Sequence, residues 1–245
     1  MMHSIFWTGR VLSRAIRNGL SNLSSAAELN VSKKKHPYLV SVVCGFPKDI
    51  ANGRSHKGQF GDDAWFSTTF NNADVIGSST ACVMILDRNE SIMRAANIGD
   101  SGYMVVRGNR IVHRSHEQQH YFNTPYQLSL PPPGHDRNVL SDRPESAETA
   151  EFKVESGDVI LVATDGVFDN VPVTVLVAEM RRAQGMDNDS QKLQAVANSI
   201  AWMARNLSFD GCYMSPFAKS ARQNGIDAIG GKPDDITVLL AIVAL

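Results

Sequence analysis

Val159-Ile160-Leu161-Val162-Ala163-Thr164-Asp165-Gly166-Val167-Phe168-Asp169 decides how this sequence is read. An aliphatic run rich in β-branched residues stops abruptly at a carboxylate and a glycine, and a second carboxylate follows at once. An apolar run this short, with such flanks, reads as a buried strand. Gly166 lets the backbone turn sharply, which leaves the Asp165 carboxylate at the strand's end instead of inside the sheet. An acid there needs compensation, and a hard divalent cation is a common source of it. The plain alternative is an Asp-Gly turn with no further role.

The composition around that strand bounds the rest. With 245 residues, 43% hydrophobic and 20% charged, the chain suits one globular domain plus a terminal extension. No apolar run reaches transmembrane length. The net charge of −1 conceals an asymmetry, because residues 1–36 hold six Lys or Arg and one acid, leaving 18 basic against 24 acidic residues beyond. An acidic body is a poor candidate for nucleic-acid binding. Cys44, Cys82 and Cys212 are odd in number, far apart and without a Cys-x-x-Cys pair. They suggest neither a disulfide framework nor a thiolate zinc site, and they fit a reducing compartment.

Met1–Ala27 contains no Asp or Glu, is rich in Ser, and spaces Arg10, Arg14 and Arg17 among Ile5, Phe6, Val11, Leu12, Ile16 and Leu20. That is the composition of a mitochondrial transit peptide, with a basic tail as the alternative. Strands are expected over Tyr38–Phe46, Trp65–Phe70, Ala73–Ile76, Ser79–Leu86, Ile92–Ile98, Tyr103–Val106 and Ile111–His113. Arg107-Gly108-Asn109-Arg110 supplies a hairpin turn. Close succession with short turns implies antiparallel sheets, one packed on another. Residues 114–150, with Pro131-Pro132-Pro133-Gly134, read as a surface excursion. Helices are expected over 172–184, 189–207 and from Ser215-Pro216 to near Gly225, before a last strand Ile236–Ala244. In the second helix Leu193, Val196, Ala197, Ile200, Ala204 and Leu207 recur at helical spacing.

Three acid groups then stand at strand edges: Asp62-Asp63, Asp165 with Asp169, and Asp234-Asp235. Carboxylates without His or Cys partners favour magnesium or manganese over zinc. Two such ions can clamp a phosphoryl group and supply a hydroxide nucleophile. His116 and His120, at i and i+4, raise the alternative of zinc, but no third ligand accompanies them and they read as surface residues.

Five motifs in order carry a resemblance. Gly61-Asp62-Asp63-Ala64, Ser78-Ser79-Thr80-Ala81, Ala96-Asn97-Ile98-Gly99-Asp100-Ser101-Gly102, Ala163-Thr164-Asp165-Gly166-Val167-Phe168-Asp169 and Lys232-Pro233-Asp234-Asp235-Ile236-Thr237-Val238 resemble those of type 2C metal-dependent serine/threonine protein phosphatases. Gln118-Gln119-His120-Tyr121-Phe122-Asn123 and Tyr213-Met214-Ser215-Pro216-Phe217 are similar to the mitochondrial branch of that family. The resemblance runs from about Tyr38 to the C-terminus, so 37–245 is expected to be the phosphatase-like domain and 1–36 the transit peptide and linker.

The resemblance implies an α+β fold, an antiparallel β-sandwich flanked by α-helices, with a dinuclear Mn2+ or Mg2+ site at one end. It implies no catalytic side chain as nucleophile: a metal-bound water attacks the phosphorus of phosphoserine or phosphothreonine. Asp165 and Asp234 resemble metal ligands, and Asp62 and Asp63 resemble acids that hold the metal or its waters. Lys57 matches the place of a phosphate-binding arginine. Asp100 resembles a structural residue capping a turn between strands. Phosphorylated mitochondrial proteins would be substrates in the matrix, and roles in coenzyme Q synthesis and mitophagy-receptor binding follow from the resemblance alone.

One departure is large. The family carries an Asp-Gly-x-Gly-Gly turn whose Asp bridges both metals, and no such sequence occurs in this chain. Asn72-Ala73-Asp74-Val75-Ile76-Gly77 runs directly into Ser78-Ser79-Thr80-Ala81-Cys82, so an internal truncation at 77/78 is expected, with part of one helical layer missing. Loss of a bridging carboxylate weakens attraction for both ions. A catalytically impaired form that acts only by binding is therefore the alternative to a working phosphatase.

Overall fold

In a computed structural model, residues 5–10, 37–46, 63–66, 77–130 and 140–244 are described. Two five-stranded antiparallel sheets organise them. The first contains β1 (Ile5–Arg10), β3 (Asp63–Phe66), β5 (Ala81–Asp87), β6 (Ile92–Ile98) and β12 (Glu148–Lys153), in the order β12-β6-β5-β1-β3. The second contains β2 (Tyr38–Phe46), β7 (Gly102–Arg107), β8 (Arg110–Arg114), β13 (Val159–Ala163) and β14 (Ile236–Ala244), in the order β2-β14-β13-β7-β8. Short pairs join β4 (Gly77–Ser79) to β11 (Leu128–Leu130) and β9 (Gln119–Tyr121) to β10 (Thr124–Pro125).

Alternation along β13 and β14 separates two cores. Val159, Leu161, Ala163, Val238, Leu240 and Ile242 face one cluster with Leu176, Met180, Leu193, Val196, Ile200 and Ala204 from helices. Ile160, Val162, Leu239, Ala241 and Val243 face the other, with Met84, Leu86, Met93 and Phe152 of the first sheet. Both faces of these central strands are buried, which is why they read as continuous apolar runs. The helices are α1 (Asp165–Phe168), α2 (Val173–Arg182), α3 (Ser190–Ser208) and α4 (Pro216–Gln223). Asp189 caps α3 by accepting from Lys192 N at 3.0 Å, and Ser215 caps α4 by accepting from Ala218 N at 3.0 Å. The layers are sheet, sheet and helices, and among the described residues no helix joins the cluster beneath the first sheet.

Several expectations need correcting. Residues 114–150 are not a plain excursion: they supply β9, β10, β11 and β12, and β12 is an edge strand paired with β6 along its whole length. Only Phe152 of β12 is buried, so its alternation is too weak to show in sequence. Ile5–Arg10, within the segment expected to be a leader, pairs as β1 between β3 and β5. The strand expected over Trp65–Phe70 is Asp63–Phe66 where described, and Ala73–Ile76 lies outside the described residues.

Candidate active site

Strand β13 ends at Ala163 opposite Val238 of β14, so Asp165, just after β13, and Asp234, just before β14, lie at the same end of the second sheet. The join is tight. Thr164 N donates to Thr237 O at 3.2 Å, and Thr237 N donates to Thr164 Oγ1 at 3.0 Å. Asp165 opens α1 instead of a turn, and Gly166 is required for a reason other than backbone freedom. A Cβ there would lie 2.2 Å from the Asp235 carbonyl oxygen, so only glycine lets α1 lie against the start of β14.

Lys232 enters this corner. Its Nζ donates to Asp165 Oδ2 at 3.0 Å and Asp169 Oδ2 at 2.6 Å, and sits 5.2 Å from the Phe217 ring centroid. Buried Asn170 fixes it from both sides, accepting from Lys232 N at 2.8 Å and donating to Lys232 O and Gly166 O, each at 2.9 Å. Asp100 and Glu117 complete the group. Burial, then the Asp165 charge, pushes Asp100 up to about 7. Burial pushes Asp169 up to about 6, against the pull of Lys232. Burial also raises Glu117. Lys232 itself is held above its ordinary value: burial opposes its charge, but Asp165 and Asp169 outweigh that.

Asp100 is thus a correction. It belongs to the carboxylate group instead of merely capping a turn, and its field reaches both Asp165 and Asp169. Lys232, Asn170 and Glu117 have roles that sequence reading missed, because Lys232 meets Asp165 across 67 residues of chain. Asp62 and Lys57 lie outside the described residues, and Asp63 is described only as the first residue of β3. His116 and His120 are engaged separately, His116 Nδ1 with Glu148 at 2.5 Å and His120 Nε2 with Asp142 at 3.0 Å. A cavity of about 170 Å³ opens beside the acids, lined by Asp100, Arg114, Glu117, Phe168, Asp169 and Phe217 among others.

The donor chemistry fits a hard divalent cation. Four carboxylates (Asp100, Glu117, Asp165 and Asp169) share the field of one ammonium, and burial, with the neighbouring acids adding, pushes Asp100, Glu117 and Asp169 toward their protonated forms. Among the described residues no three Asp, Glu, His or Cys converge as a complete ligand set.

Paired antiparallel sheets, helices on one face and acids gathered at the strand ends define an α+β fold of the type 2C phosphatase class. The X-ray structure of the photosystem II phosphatase PBCP matches with a TM-score of 0.57 and 28% identity, over 72% of this chain and 66% of that one. No protein-family model matches the chain. The Homo sapiens protein phosphatase PTC7 homolog is 39% identical over 304 residues, spanning 99% of each chain, and the Danio rerio homolog gives the same values. The Drosophila virilis homolog fig is 48% identical over 169 residues, 69% of this chain and 54% of that one. The chain belongs to the PTC7 family of protein phosphatases, and by family it is a serine/threonine phosphatase.

Proposed function

We propose that this chain is a mitochondrial, divalent-metal-dependent serine/threonine phosphatase whose activity is low in the 245-residue form. The observation that carries the metal dependence is the gathering of Asp100, Glu117, Asp165 and Asp169 about a single ammonium, Lys232, beside an open cavity. Mn2+ or Mg2+, when bound, supplies Lewis acidity and an activated water for phosphate-ester hydrolysis. Asp165 and Asp234 would hold ions, with Asp62 and Asp63 assisting and Lys57 serving the phosphate. Asp100 and Asp169 add negative field that draws the cation in. Asn170 keeps the corner closed, and Gly166 keeps the two strand ends in register.

The acid-free, arginine-bearing N-terminus supports matrix import, with phosphorylated mitochondrial proteins as substrates. Fusing residues 1–36 to a fluorescent protein should direct it to mitochondria; a diffuse signal would sink the localisation.

The second reading, a form that acts by binding alone, is favoured by a length difference. A 304-position alignment cannot be filled by 245 residues, so at least 304 − 245 = 59 positions face gaps in this chain. The test is Mn2+-stimulated hydrolysis of a phosphoserine peptide by the full chain. Little or no turnover above the Asp165→Asn control is expected; robust, Asp165-dependent turnover would overturn the impaired reading and leave the phosphatase reading standing.

A further inference from the structure

Lys232 is built into its position more firmly than a surface lysine needs to be. Its backbone is clamped by Asn170 on both the N–H and the C=O. Gly231 before it packs so closely that a Cβ would lie 2.0 Å from the Leu207 carbonyl oxygen, and Pro233 after it restrains the backbone to extended geometry. The side chain is 19% exposed, and its ammonium makes one contact to each of two carboxylates that differ in neighbourhood. Asp165 stands at the end of β13, whereas Asp169 accepts from Phe217 N through its backbone carbonyl at 3.0 Å, on the side where the aromatic ring also faces the ammonium.

We propose that Lys232 is a resident counter-cation of this site, competing with a divalent ion for Asp165 and retiring to Asp169 and Phe217 when the ion binds. The inference rests on the reading of Asp165 as a metal ligand. Its physics is simple exchange. With no ion, the ammonium keeps clustered carboxylates tolerable in a partly dry corner. An ion at Asp165 must displace that contact, so its observed affinity is lowered by whatever Lys232 contributes there. The shorter contact to Asp169, with the ring behind it, gives the displaced ammonium a place to remain without leaving the site. Asn170 holds only the backbone of Lys232, so the side chain alone moves.

The experiment is a Mn2+ titration of the metal-stripped full chain, with free Mn2+ read by electron paramagnetic resonance. Lys232→Gln should bind Mn2+ about tenfold more tightly or better, the low end of what a unit charge at this range does to a carboxylate. Lys232→Arg, which keeps the charge, should stay near the parent value. Asp165→Asn should lose the tight site in every background. Equal or weaker binding by Lys232→Gln, with Asp165 still required, overturns the competition and leaves the metal reading intact; binding indifferent to Asp165→Asn overturns both. Because Lys232→Gln leaves the acids unbalanced and could fail to fold, the unaltered chain provides a second measurement. Reductive methylation read by mass spectrometry should modify Lys232 slowly relative to exposed Lys219 without metal, and faster at saturating Mn2+. A Lys232 equally protected in both conditions, or a chain that binds no Mn2+ with or without the substitution, overturns the proposal.

Discussion

Asn170 shows how one uncharged residue sets the geometry of the charged ones. Its amide satisfies the carbonyls of Gly166 and Lys232 and the N–H of Lys232, tying α1 to the loop that precedes β14. Asn170→Ala strands these buried partners and should cost about 2–3 kcal/mol, read from urea unfolding. Asn170→Asp should be worse, since it adds a carboxylate beside Asp165 and Asp169 and cannot donate to either carbonyl. His113 gives a pH dependence of definite sign. Its ring stacks on Phe152 at 3.8 Å, and burial, with Arg107 adding, holds its pKa below the ordinary value. The unfolded chain therefore takes up this proton first, near pH 6.5. The neutral ring's stabilisation is fully present above that and is lost as pH falls toward the depressed value in the folded state. His113→Gln should flatten the decline in melting temperature between about pH 7 and 5; an unchanged slope would show that His113 does not contribute.

At the scale of elements, the turn between β12 and β13 is held by a single side chain of β7. Arg107 donates to Asp158 from Nε at 2.7 Å and from a terminal nitrogen at 2.8 Å, while Asp158 is fully buried. Arg107→Ala leaves that carboxylate with only the Glu155 N–H at 2.9 Å and should cost about 3 kcal/mol in urea unfolding. Gly166→Ala tests the neighbouring corner. Its Cβ meets backbone that cannot swing aside, so loss of stability together with loosened Lys232 protection is expected. Which elements could be read from sequence follows from the same physics. β13, β14 and α3 were legible because burial on both faces, or on one helical stripe, writes a local pattern. α4 was legible from Ser215-Pro216, whose cap and first-turn proline act within one turn. β9 to β12 were not, since short, polar edge strands owe their existence to partners distant in sequence. Asp165 announced itself at the strand end; Lys232 did not, because its role exists only after β13 and β14 pair.

For the whole molecule, two cores are built on either side of β13 and β14, and the proposed truncation falls outside both, between Gly77 and Ser78. Met84, Leu86 and Met93 are fully buried in one cluster with Ile160, Val162 and Leu239, a cluster that no helix joins among the described residues. Outward positions on β5 such as Val83 and Ile85 are only partly covered, where the family resemblance places helices. Gly77 and Ser78 open β4, which pairs with β11 in a two-stranded sheet of its own and contributes to neither core cluster. A segment entering there need not disturb the packing of β13 on β14. Grafting the intervening segment of a full-length PTC7 relative between Gly77 and Ser78 should therefore fold on the existing scaffold. It should raise the melting temperature by covering apolar sheet surface. It should also raise Mn2+-stimulated phosphoserine hydrolysis by about a hundredfold or more, an effect of order 3 kcal/mol on the barrier. Asp165→Asn in the graft should abolish that gain. A graft that folds, melts higher and binds Mn2+ yet stays inactive would place the defect in the phosphate-binding residues upstream of β4, not in the missing layer.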